Sequence, residues 1–66
     1  MITVNGVTIT GDQLDAIVRL MKNGWKVDFT SINKLPAEQC ITINVTGEKT
    51  GARMVMGIEA DGYAHS

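Results

Sequence analysis

The chain has 66 residues, six Lys+Arg against seven Asp+Glu, a formal net charge of -1 and 44% apolar residues. That composition is globular, and the length allows one small domain, residues 1–66, with no second one. A near-neutral chain with dispersed cations is not expected to bind nucleic acid in general, because phosphate contacts need clustered positive charge.

Domains of this size are marginal and usually add a disulfide, a metal or a second copy of themselves. A lone cysteine, Cys40, excludes an internal disulfide, and with a single histidine the pair is too few for a structural zinc site. No metal or cofactor is therefore expected, and self-association is the staple that remains. The alternating start MITVNGVTIT does not read as a signal peptide, and no apolar run is long enough for a membrane span. The expectation is a cytoplasmic protein without a membrane partner.

Ile2-Thr3-Val4 and Val7-Thr8-Ile9 flank Asn5-Gly6. Both turn residues tolerate the positive φ of a type I′ turn, so the stretch reads as a hairpin pairing Val4 with Val7 and Ile2 with Ile9. A single bent strand with a bulge at Gly6 is the alternative. Thr10 and Gln13 have the spacing of a capping box, and Asp12 and Asp15 suit the positive end of a helix dipole. Leu14, Ile17, Val18 and Met21 follow helical spacing, with Leu20 beside them, and Gly24 provides a stop. The prediction is a helix over about 11–23.

Trp25, Val27 and Phe29 alternate with polar residues as a strand with its bulky face inward. Ser31 to Gln39 reads as a loop, in which Pro36 could open a single helical turn. Ile41, Ile43 and Val45 mark a strand, Gly47–Gly51 a turn, and Ala52–Ala60 the last strand, with Tyr63–Ser66 a short tail. The fold class is α+β: one small antiparallel sheet in the order β-β-α-β-β-β, with one helix packed on one face.

Enzyme activity is not expected. His65 reads as a solvated tail residue. Cys40 reads as a small buried hydrophobe rather than a nucleophile. The seven carboxylates are scattered, so no acid-base pair is evident. The most suggestive stretch is Thr46 to Arg53. Two glycines could turn backbone N–H groups outward around an anion, with Lys49, Thr50 and Arg53 adding donors. It lacks the spacing and the following helix of a P-loop, and an ordinary hairpin loop is the competing reading.

Trp25 is expected in the core, whereas Tyr63 could complete a ligand site from its own or an adjacent chain. Val55 faces away from Met54, Met56 and Ile58, and a strand apolar on both faces is usually covered on both. Together these features predict a non-enzymatic, homo-oligomeric binding module for a small anionic, nucleotide-like ligand at Lys49, Thr50, Arg53 and Tyr63. Its brevity suits an accessory protein of a phage or mobile element. The alternative is an inhibitor or adaptor that blocks a host protein through a sheet edge or the polar helix face Asp15, Arg19, Lys22 and Asn23.

Overall fold

The computed structural model describes residues 2–36 and 39–66. It is α+β, in the chain order β1 (Ile2–Val4), β2 (Val7–Ile9), α1 (Gly11–Lys22), β3 (Trp25–Lys34), β4 (Ile41–Gly47), β5 (Arg53–Ile58) and β6 (Ala64–His65). Two antiparallel sheets replace the single one expected: a hairpin β1-β2 and a four-stranded sheet β3-β4-β5-β6. The hairpin pairs Ile2 with Ile9 and Val4 with Val7 around Asn5 and Gly6, at φ 49° and 81°. Its apolar side then closes one end of the core instead of extending the larger sheet.

The core lies between helix and hairpin on one side and the inner face of the four-stranded sheet on the other. Ile17, Ile41, Ile43, Val45 and Ile58 are its best buried aliphatic residues, with Ile9, Ala16 and Ile32 around them. The helix presents Gln13, Ala16 and Ile17 to this core, while Val18 and Met21 are exposed. The buried stripe is thus turned by one residue, about 100°, from the apolar spacing read in the sequence.

Gln13 is the cause. Its side chain closes the capping box with Thr10, accepting from the Thr10 N–H at 2.9 Å while the Thr10 hydroxyl accepts from the Gln13 N–H at 3.1 Å. The amide nitrogen donates to the carbonyls of Gln39 at 2.7 Å and Ile58 at 3.1 Å. The Thr10 hydroxyl donates onward to the Ala60 carbonyl at 2.7 Å. One helix terminus is thereby tied to the start of β4 and the end of β5.

Strand β3 runs four residues further than the alternation suggests. Between Asp28, opposite Asn44, and Asn33, opposite Thr42, its register shifts. The Ser31 hydroxyl repairs the ladder by accepting from the Asn44 N–H at 2.8 Å and donating to the Asp28 carbonyl at 2.6 Å. Because of this bulge Ile32, not Phe29, reaches the core, and Phe29 is exposed. The helical turn expected after Pro36 falls on Ala37 and Glu38, outside the described residues.

Replacing Gln13 with Leu removes the cap partner and two hydrogen bonds to backbone carbonyls, one buried and one part-buried, so it should destabilise the domain by about 2–4 kcal/mol. Urea unfolding of Gln13→Leu beside the unaltered protein measures this, and an unchanged midpoint contradicts the role.

Candidate functional site

The helix and hairpin cover one face of the four-stranded sheet, so the polar side chains of its strands collect on the other. Residues directly opposite one another in a ladder share a face, and the register arranges this outer face in rows. Lys26, Thr46 and Arg53 form the first, Asp28, Asn44 and Val55 the second, and Asn33, Thr42, Gly57 and His65 the third. The same register continues past the strand ends. The Leu35 N–H donates to the Cys40 carbonyl at 3.0 Å and the Glu59 N–H to the Tyr63 carbonyl at 2.8 Å. Leu35, Cys40, Glu59 and Tyr63 therefore make a fourth row.

At the first-row end, Arg53 and Lys26 flank Thr46 beside a shallow depression of about 450 Å³ whose walls include Asp28, Asn44 and Val55. Asp28 Oδ1 already accepts from the Thr30 N–H at 3.0 Å and the Thr30 hydroxyl at 2.6 Å. That carboxylate is held toward the bulge.

The Gly47–Gly51 loop spends its donors internally. The N–H groups of Gly47, Glu48 and Gly51 donate to the carbonyls of Ala52, Gly24 and Gly47, and that of Ala52 to the Thr50 hydroxyl. Four amides that could have faced an anion are thus committed. Lys49 and Thr50 line a separate depression with Trp25, distinct from the one that Arg53 lines. Tyr63 lies in the fourth row, six residues along β5 from the Arg53 row, or about 20 Å. The four residues singled out in the sequence are therefore not gathered within one chain: Arg53 is joined by Lys26, which sequence spacing could not suggest. No protein-family model matches the chain, and no curated protein and no solved structure matches it.

The fourth-row end is built differently. Tyr63 is 66% exposed and stacks on His65, with ring centroids 5.7 Å apart and planes at 28°. His65 is not a frayed tail residue. It belongs to β6, its Nε2 lies 2.8 Å from Glu59 Oε2, and its ring packs against Gly57. A Cβ at position 57 would stand 2.9 Å from the ring, so the glycine provides the hollow that the imidazole fills. Cys40 is buried, as expected of a small hydrophobe, yet its Sγ, a Glu59 carboxylate oxygen and a His65 ring nitrogen all lie within 4.8 Å of one another.

The turn that returns the chain into β6 depends on Gly62, at φ 90°, where a Cβ would lie 2.7 Å from the Asp12 carbonyl oxygen. Gly62→Ala should cost about 2 kcal/mol through the left-handed backbone and that clash, and should loosen β6. Hydrogen exchange at the Glu59 amide reads this directly, and unchanged protection refutes it.

Proposed function

We propose that the chain is a non-enzymatic binding module that pairs with a second copy of itself through β5 and holds a small polyanionic, nucleotide-like ligand across the pair. The observation that carries the reading is the half-covered edge of β5. Strand β6 pairs with Gly57 and Ile58, and among the described residues no strand pairs with Arg53–Met56 on that side. The Ala52 carbonyl accepts from β4 and the Glu59 N–H donates toward β6. Since backbone groups alternate in direction along a strand, the N–H and C=O groups of Arg53 and Val55 face outward at this edge. Val55 is 56% exposed and Met54 37%, which is the composition of an edge that invites pairing.

A two-fold axis normal to the sheet allows Met54 to face its own copy and Arg53 to face Val55 of the partner strand. A shift toward Gly57 would run the second copy into β6. In this register two pairs of residues exchange four backbone hydrogen bonds. The two Arg53 residues become diagonal neighbours about 7–8 Å apart on the outer face, each with its own Lys26 behind it. Four cations around an axis repel one another until an anion bridges them, so ligand and assembly support each other by linkage. Bidentate guanidinium contacts suit phosphate oxygens.

The rival occupant is a host protein. The helix face carries Asp15, Arg19 and Lys22 around a depression that also includes Asp12, Val18 and Asp61. Its mixed charges favour no single ligand class, and the β5 edge is the better supported surface.

Val55→Pro removes an outward N–H without touching the β4 ladder, a position where proline is tolerated. It should abolish the dimer at concentrations where the unaltered protein is dimeric by sedimentation velocity. Arg53→Ala should lower affinity for pyrophosphate or ATP at least tenfold by calorimetry while the dimer persists. Absence of any dimer, or equal anion affinity in Arg53→Ala, removes the proposal. Binding to a host protein that survives Arg53→Ala and fails on charge reversal along the helix face favours the rival.

A further inference from the structure

The geometry points to a second site, at the opposite end of the outer face: Cys40, Glu59 and His65 form a mononuclear site for a zinc-class divalent cation. The three side chains come from just before β4, just after β5 and from β6, and one ligand atom from each lies within 4.8 Å of the other two. The donor set of one thiolate, one imidazole and one carboxylate is chemically selective. Sulfur favours the borderline and soft transition metals over magnesium and calcium, and three protein ligands leave one tetrahedral position for water.

The position of each donor fits an ion at the sheet surface. Cys40, 3% exposed, forms the floor. Glu59 and His65, each 43% exposed at the side chain, stand on the solvent side. Around a tetrahedral zinc, ligand atoms sit about 3.3–3.6 Å apart. The 2.8 Å pair of His65 Nε2 and Glu59 Oε2 has to open slightly, and the wider separations have to close by about 1 Å, within the reach of side-chain rotation. The ion replaces the His65–Glu59 hydrogen bond and releases the Cys40 thiol proton, whose sulfur now lies 3.5 Å from the Ile41 carbonyl.

The backbone beneath this cluster is held independently of any metal. Gln13 binds the carbonyls of Gln39 and Ile58, each the residue just before a ligand. Gly57 leaves the space against which the imidazole packs. Cys40 and His65 alone make two donors. Glu59, which joins them only through the β4-β5 register, supplies the third. The site offers a domain of this size the crosslink that its single cysteine cannot make covalently, joining positions 40, 59 and 65.

The test is titration of the metal-free, reduced full-length chain with Co²⁺ as a spectroscopic probe, followed by competition with Zn²⁺. The expected result is one Co²⁺ per chain, with a near-ultraviolet thiolate-to-cobalt charge-transfer band and visible bands of tetrahedral intensity that Zn²⁺ bleaches. Cys40→Ala should abolish the charge-transfer band. His65→Ala and Glu59→Gln, at side chains that are 43% exposed, should each weaken binding at least tenfold. Zn²⁺ should raise the unfolding temperature of the unaltered protein and leave that of His65→Ala in place. Circular dichroism of each variant confirms folding. No band in the unaltered protein overturns the site. So does one metal per two chains, or a band of equal affinity in His65→Ala, since either places Cys40 in a different ligand set. This outcome is separable from the anion proposal, because Arg53→Ala should bind Co²⁺ unchanged.

Discussion

A single buried amide side chain holds this fold in register. Gln13 sits where the helix begins, and its three hydrogen bonds reach the helix cap, the start of β4 and the end of β5. An amide buried among isoleucines is tolerable only when its groups are bonded, because each unpaired one costs as much as a substantial fraction of a small domain's stability. The helix therefore cannot rotate to bury its more apolar stripe, and Val18 and Met21 stay in water. The same bonds fix the ends of two strands that lie 26 and 45 residues away in the chain.

That clamp divides the protein by face. Ile32, Ile41, Ile43, Val45 and Ile58 are drawn to the inner face of the four-stranded sheet, and the outer face is left to the residues that alternate with them, Val55 among them. Its two ends differ in character. One is cationic and borders the part of the β5 edge that no strand pairs with among the described residues. The other concentrates sulfur, nitrogen and carboxylate donors under an exposed tyrosine. Two separate candidate sites on one face suit a chain too short to enclose a cavity, since a sheet face presents several side chains without a deep cleft.

Much of the local structure was legible in the residues. Asn5-Gly6 set the hairpin register, Thr10 and Gln13 the helix start, and the alternation of Ile41, Ile43 and Val45 the central strand. What was hidden depended on pairing between distant segments. The shift between Asp28 and Asn33 carries no clear sequence mark beyond Asp28 and Ser31, whose side chains replace ladder bonds. Lys26 meets the Arg53 row only through Thr46, and Cys40 meets Glu59 only through six intervening ladder pairs in β4-β5. His65 was read as tail because two residues of strand leave no periodicity to detect. The apolar stripe was misplaced by one residue because hydropathy weighs a glutamine as surface and takes no account of a carbonyl waiting for it.

The hollow at Gly57 binds two positions into a single heritable unit. While an imidazole lies across it, a Cβ there would stand 2.9 Å from the ring and push it aside, so keeping the ring in place gives up the β-propensity that valine or threonine would bring. A descendant that lost the histidine would be released from that constraint and could regain a sturdier strand. Substitutions at 57 and 65 should then arise together, or in the order that empties the hollow before filling it.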